Sequence, residues 1–103
     1  MEIEVALEQA MKRGASDVHF SVGRPIMIRV DGTLLPLNEN TLKPMDTEAF
    51  LMPLLSESQH EEIAKSGEVD FAYSLQGVGR FRLNVFKQRG TYAAALRLLP
   101  FSI

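Results

Sequence analysis

Apolar and polar residues alternate along most of the chain, with the period of two that is typical of half-buried β-strands. This alternation predicts six strands, at residues 16–22, 26–30, 33–37, 69–74, 80–86 and 92–99. Helical spacing of apolar residues and capping signals predict three helices, at residues 2–13, 46–55 and 56–65. The predicted order is α-β-β-β-α-α-β-β-β. Turn signals between neighbouring strands favour an α+β domain, with helices packed on a mainly antiparallel sheet.

The second and third helices have recognisable start and stop signals. Asp46 is predicted to be the N-cap of the second helix, and Pro53 should kink or shorten that helix because proline lacks a backbone N–H. Ser56 followed by Gln59 forms a capping-box pattern, which should begin the third helix. Gly67 should end it, since glycine readily adopts the left-handed conformation found just after helices.

The last two strands flank Arg89-Gly90, a turn signal that predicts a β-hairpin. A loop symmetric about these two residues sets apolar residues opposite one another, in the pairs Phe81–Leu98, Leu83–Leu96 and Val85–Ala94. A slip by one residue would place Arg97 on the apolar face, so the symmetric register is preferred. The same register places Arg82 directly opposite Arg97 on the polar face.

Two arginines directly opposite one another repel, which destabilises a pair of strands. Either both side chains extend into water, or an anion lies between them, since the guanidinium group suits phosphate and carboxylate. The repulsion predicts that Arg82→Ala or Arg97→Ala leaves the domain as stable as the wild type, or slightly more stable. A marked loss of stability would instead indicate that acidic residues from earlier in the chain pair with these arginines.

Charge is segregated along the chain in a way that favours an anion near this hairpin. Residues 71–103 contain five basic residues and no acidic one, a net charge of +5. Residues 1–70 contain six basic and thirteen acidic residues, a net charge of −7, which gives −2 in total. This segregation predicts a polyanionic partner, or an acidic neighbouring surface, at the hairpin.

The composition is that of one globular domain, and it excludes several kinds of chemistry. The chain has 103 residues and no cysteine, so disulfides, thiolate zinc sites and cysteine nucleophiles are excluded. The sequence contains no Walker A pattern GxxxxGK[ST] and no recognisable nucleophilic triad, and the glycines at 77–79 are too weak a signal for a phosphate loop. His19 lies between alternating apolar residues and is interpreted as structural, because no second histidine lies at ligand spacing.

Three stretches of the sequence resemble the N-terminal domain of the PilT-type secretion ATPases, the motors that retract type IV pili. The first is ASDVHFSVGRPIMIRVDGTL at residues 15–34, a strand-turn-strand. The second is LLSESQHEEIAKSGEVDFAYSL at residues 54–75, a helix followed by a strand. The third is GVGRFRLNVFKQRGTYAAALRLLP at residues 77–100, the arginine-bearing hairpin. The resemblance spans nearly the whole chain.

The resemblance implies a PAS-like domain at residues 1–100, followed at residues 101–103 by the start of a linker to a RecA-like ATPase domain that this sequence lacks. It also implies that Arg82 and Arg97, with Arg80 as a third candidate, contact the phosphates of ATP in the full-length protein, where magnesium is bound as well. The fragment alone is expected to hold no cofactor or metal, and without a Walker A sequence it should not hydrolyse ATP.

The resemblance also implies partners and a location. Full-length family members form homohexamers, in which this domain packs against the RecA-like ATPase domains of its own and of a neighbouring subunit. The motor is expected to be cytoplasmic and peripheral to the inner membrane, with the inner-membrane pilus platform as a partner and no nucleic acid.

Three alternatives stay open at this point. A free-standing PAS-like domain would bind a small molecule as a sensor. A nucleic-acid binder would use the basic hairpin, with Phe81 and Phe86 stacking on bases, although Phe81 is assigned to the core and the net charge is −2. The equivalent domain of a pilus-extension or type II secretion ATPase would share the same plan.

Overall fold

The predicted strands form a single antiparallel sheet in the computed structural model, which describes residues 2–99. In chain order they are β1 Ala15–Phe20, β2 Met27–Val30, β3 Thr33–Pro36, β4 Glu68–Leu75, β5 Gly79–Gln88 and β6 Thr91–Leu99. Their spatial order is β3-β2-β1-β6-β5-β4, so the last strand in sequence lies between β1 and β5. The α+β class and the antiparallel sheet are confirmed. The predicted linker at residues 101–103 lies outside the described residues.

Three helices lie against one face of this sheet: α1 Ile3–Lys12, α2 Pro44–Leu51 and α3 Glu57–Ser66. They contact β1, β6 and β4, respectively. Their apolar sides and the inward side chains of the strands form one core, whose fully buried large members include Leu7, Phe20, Ile28, Leu51, Phe81, Leu83, Val85 and Leu96. Among residues 2–99, no helix is long and apolar enough to cross a membrane.

The start of α2 differs from the sequence-based prediction. Asp46 is not the N-cap, because the helix begins at Pro44 and Lys43 is the N-cap. Proline suits the first helical position, where its missing N–H would have had no helical partner. Asp46 lies at the third helical position and accepts a hydrogen bond from the Lys43 N–H at 2.7 Å. The α-helix ends at Leu51, and Pro53 lies in a short 3-10 turn, so the predicted shortening is confirmed.

The predicted signals of α3 and of the hairpin are confirmed. The Gln59 N–H donates to Ser56 Oγ at 3.2 Å, and the Ser56 N–H donates to Gln59 Oε1 at 2.8 Å, which completes the capping box. Gly67 ends the helix with φ 84°. In the β5–β6 turn, Arg89 has φ 53° and Gly90 has φ 78°, as a type I′ turn requires. The two-residue turn fixes the predicted register of the hairpin.

The helices occupy one face of the sheet, and we refer to the opposite face as the open face. It presents the side chains that alternate with the core residues along each strand. Asp17 and His19 of β1, Asp70 of β4 and Arg97 of β6 belong to it, together with Arg80 and Arg82 of β5. The alternation that buries Phe81, Leu83 and Val85 therefore collects the predicted site residues on a single surface.

Candidate functional site

Arg82 and Arg97 face one another on adjacent strands of the open face, as the register predicts. Their side chains are 64% and 77% exposed. Backbone pairing between β5 and β6 fixes the spacing of the two residues, and the buried apolar pairs of the same strands prevent a register slip. The hairpin thus places the two arginines on directly paired strand positions, with both side chains in contact with solvent.

Each arginine has an aspartate partner on the strand at its other side. Arg82 Nε lies 2.8 Å from Asp70 Oδ1, and Arg97 Nε lies 3.3 Å from Asp17 Oδ1. Asp70 is on β4 and Asp17 is on β1, so the order across four strands is acid, arginine, arginine, acid. We call these four residues the charged row. Among the environments that the sequence left open for the arginines, the structure shows acidic partners from earlier in the chain.

Asp17 is the more firmly held of the two aspartates. Its side chain is only 17% exposed, and Ser16 Oγ donates a hydrogen bond to its Oδ2 at 2.7 Å. Burial by itself raises the pKa of Asp17, but the hydrogen bonds from Ser16 and Arg97, with the charges of Arg97 and His19, outweigh it. The pKa of Asp17 is therefore lowered, and the carboxylate stays ionised at neutral pH.

The charged row accounts for part of the charge segregation in the sequence. The basic last third of the chain is not left uncompensated, because strand pairing brings Asp17 and Asp70 from the acidic part beside its arginines. The acidic neighbouring surface that the segregation predicts is therefore present, at least in part, within the sheet itself.

The third candidate, Arg80, also lies on the open face. It is exposed on β5, two residues from Arg82, which corresponds to about 7 Å along the strand. Within residues 2–99 it forms no ion pair. Arg89, in contrast, lies at the hairpin tip, about 20 Å from Arg82 along β5. The structure therefore groups Arg80 with the charged row and separates Arg89 from it.

His19 lies on the open face, on the polar side of the alternation in β1. It is half-buried, opposite Met27 of β2 and Ala95 of β6. Burial lowers its pKa, and the charges of Arg29 and Arg24 add to this, against an opposing effect of Asp17. The sequence signal for this location is that Asp17 and His19 alternate with the buried residues Val18 and Phe20 along β1. Among residues 2–99, no three His, Cys, Asp or Glu side chains gather as a metal site.

Two concave regions lie outside the charged row. One, of about 640 Å³, lies beside α1 and α2, and its rim carries Glu2, Glu4 and Asp46. Those carboxylates would repel a phosphate. The other, of about 530 Å³, lies on the open face beside the β5–β6 turn and includes His19 and Phe86 in its lining. Neither region contains Arg82 or Arg97 in its lining.

Of the two phenylalanines that a nucleic-acid binder would use for stacking, one is buried. Phe81 is 1% exposed and forms part of the core, so it cannot stack on a base. Phe86 lies on the open face but is only partly exposed. No stacking platform of two aromatic residues is therefore available on the hairpin.

Two pilus ATPases are similar in sequence to the whole of this chain. The chain is 35% identical over 103 residues to the type IV pilus retractation ATPase PilT of Pseudomonas aeruginosa, covering all of this chain and 30% of that protein. It is 32% identical over 103 residues to the type IV pilus ATPase PilU of the same organism, covering all of this chain and 27% of that protein. No protein-family model matches the chain.

Solved structures agree with these relatives. The crystal structure of the pilus retraction motor PilT with bound ADP superimposes with a TM-score of 0.92 at 41% identity, covering all of this chain and 30% of that one. The ATPase DotB of Legionella pneumophila, at 22% identity and a TM-score of 0.81, shares the fold. The fold and these matches show that the chain is the N-terminal domain of an ATPase. More specifically, the chain corresponds to the N-terminal domain of a PilT-type ATPase and spans about 30% of the length of PilT.

Proposed function

We propose that this domain provides Arg82 and Arg97 to the phosphates of ATP in a hexameric motor that retracts type IV pili. The observation that carries the proposal is the meeting of two exposed arginines on neighbouring strands of the open face. Arg80, two positions along β5, is the third candidate. The ATP and magnesium would be bound by a RecA-like domain, and this domain would contact that domain in its own and in a neighbouring subunit.

The chemistry of phosphoryl transfer explains why arginines would be used. Negative charge is spread over the oxygens of the transferred phosphoryl group, and positioned guanidinium groups stabilise it. A guanidinium group presents a planar fork of donors, which matches two phosphate oxygens at once. The hairpin holds two such forks at a spacing set by strand pairing, so little reorganisation would accompany nucleotide binding.

The comparisons support the assignment to a pilus motor. Two of the matched proteins, PilT and PilU, are named as type IV pilus ATPases, and the matched PilT structure contains bound ADP. Retraction is proposed over extension because PilT is named for retraction. We further propose that the motor works in the cytoplasm at the inner membrane, where the pilus platform is its partner.

Steady-state ATPase assays of the full-length protein test the proposal. Arg82→Lys and Arg97→Lys keep the positive charge but lose the fork, so each should lower kcat by about tenfold or more. A whole arginine finger contributes about 10³–10⁵, and each of two arginines that share the task contributes less than that. Arg89→Lys is the matched control, because Arg89 lies on the same hairpin but at its exposed tip. It should retain wild-type turnover.

Two results would contradict the proposal. Wild-type turnover by both the Arg82 and Arg97 variants would show that neither fork contributes to the reaction. An equal loss in all three lysine variants would show a general electrostatic effect of the basic hairpin and not contact with the phosphates.

A further inference from the structure

Both aspartates of the charged row contact the same atom of their arginine. Arg97 Nε donates a hydrogen bond to Asp17 Oδ1 at 3.3 Å, whereas Arg82 Nε lies 2.8 Å from Asp70 Oδ1 in an ion pair that does not have hydrogen-bond geometry. Within residues 2–99, no hydrogen bond engages the terminal nitrogens of either guanidinium group. An arginine held by Nε still presents both terminal nitrogens as an end-on fork, which is the group that binds two phosphate oxygens.

We propose that Asp70 and Asp17 are positioning residues, which hold Arg82 and Arg97 by Nε and so orient their terminal nitrogens toward a nucleotide phosphate. The inference rests on the proposed function, since it concerns the same two arginines. An exposed arginine side chain has many rotamers, and a tether at Nε removes part of that freedom before the nucleotide arrives. The aspartates themselves would not touch the nucleotide.

The placement of the aspartates also keeps the two arginines apart. Across the sheet, Asp70 on β4 and Asp17 on β1 are separated by three strand spacings, or about 14 Å, with the strands of the two arginines between them. Asp70 is also offset along the strands, because it pairs with Asn84, two residues from Arg82. Each guanidinium group is attracted away from the other, toward the outer side of the pair. A phosphate can then enter between two forks whose mutual repulsion is already offset.

The two tethers differ in strength. Asp17 is largely buried and is held by Ser16 at 2.7 Å, whereas the Asp70 side chain is 44% exposed. A fixed anchor restricts its arginine more than a mobile one does. The Arg97 tether should therefore contribute more to turnover than the Arg82 tether, and the exposed Asp70 can be substituted without risk to folding.

The aspartates could instead only neutralise the positive charge of the arginines, and the two roles lead to different expected values of kcat. If they only neutralised positive charge, their removal would strengthen the attraction between the arginines and a phosphate and would leave kcat unchanged or higher. If they position the forks, their removal lowers kcat, because the transition state depends on orientation more than the bound ground state does. A comparison of kcat with KM therefore separates the two roles.

The test is the steady-state ATPase activity of the full-length protein with Asp17→Asn and Asp70→Asn. Each variant should lower kcat, by about tenfold for Asp17→Asn in line with losses seen when orienting partners are removed, and by less for Asp70→Asn. The KM for ATP should not rise, since the positive charge near the nucleotide increases. Asp70→Glu retains a carboxylate and should recover part of the lost turnover.

Glu68→Gln is the matched control. Glu68 lies two residues from Asp70 on the same face of β4 and accepts a hydrogen bond from Asn84 Nδ2 at 3.0 Å, with no arginine contact within residues 2–99. Its variant should have the wild-type kcat. Values of kcat within twofold of wild type for both asparagine variants, or an equal loss for Glu68→Gln, would overturn the positioning role.

The lysine variants of the arginines separate this inference from the proposed function. If Arg82→Lys and Arg97→Lys lose turnover while both asparagine variants keep it, the arginines act on the phosphates without the aspartates, and only the positioning role is wrong. If the lysine variants keep full turnover, the arginines do not act on the phosphates, and both proposals are wrong.

Discussion

Removal of Arg97 should cost the isolated domain more stability than removal of Arg82, although both arginines lie on the same exposed surface. Arg82 and Asp70 are both well exposed, at 64% and 44%, so their ion pair should contribute only about 0.2–1 kcal/mol. Relief of the repulsion between the two arginines offsets a similar amount. Arg82→Ala should therefore leave the free energy of unfolding within about 0.5 kcal/mol of wild type.

Arg97 differs because its partner is largely buried. Asp17 is 17% exposed, and loss of Arg97 leaves its carboxylate with the Ser16 hydroxyl as its hydrogen-bond donor. Hydrogen bonds to charged groups contribute about 1.5–3 kcal/mol, and water can replace part of the lost contact because the Arg97 side chain is 77% exposed. After the relief of repulsion, Arg97→Ala should lose about 1 kcal/mol.

Urea unfolding at pH 7, followed by circular dichroism, measures these differences. A double-mutant cycle isolates the ion pair: in the Asp17→Asn background, Arg97→Ala should cost almost nothing, because its partner charge is absent. A stabilising ion pair between Arg97 and Asp17 is refuted if Arg97→Ala is as stable as wild type or more stable. An equal cost of Arg97→Ala in both backgrounds would also refute it.

Three further predictions concern the domain alone. Burial and nearby arginines lower the pKa of His19 below 6.5, so the unfolded chain binds more protons than the folded one and stability falls as the pH drops below 6.5. His19→Gln should remove this part of the pH dependence of the unfolding free energy between about pH 5 and 7. An unchanged pH dependence in the variant would contradict the prediction. Gly90→Ala should cost about 1–2 kcal/mol in urea melts because Gly90 has φ 78°, whereas no loss would contradict a strained turn. The purified 103-residue chain should sediment as a monomer and show no ATPase activity, so turnover that survives further purification, or a tight hexamer, would contradict this.

The hairpin and its register could be predicted because their determinants are local. A turn signal at Arg89-Gly90 and apolar alternation on both sides leave one favourable pairing, which places Arg82 opposite Arg97. The fold class followed from similar local signals along the chain. Local patterns were insufficient at α2, where Pro44 sets the start and moves Asp46 from the predicted cap to the first turn.

The aspartate partners could not be predicted from the same patterns. Asp17 and Arg97 are 80 residues apart in sequence, and they meet because β6 inserts beside β1, which no local signal specifies. Asp70 reaches Arg82 through the pairing of β4 with β5. The segregation of acidic and basic residues was the available signal, but it indicated an acidic neighbour without identifying it. Because Asp17 is the partner of Arg97, the expected effect of Arg97→Ala changes from unchanged or slightly higher stability to a loss of about 1 kcal/mol.

A structure of the full-length protein with magnesium and a non-hydrolysable ATP analogue would show whether the two arginines reach the nucleotide. Terminal nitrogens of Arg82 and Arg97 should lie about 2.7–2.9 Å from phosphate oxygens in at least one nucleotide-bound subunit. Their Nε atoms should remain on Asp70 and Asp17. Contact of the arginines with the phosphates is contradicted if both guanidinium groups lie more than about 3.5 Å from every phosphate oxygen in all nucleotide-bound subunits.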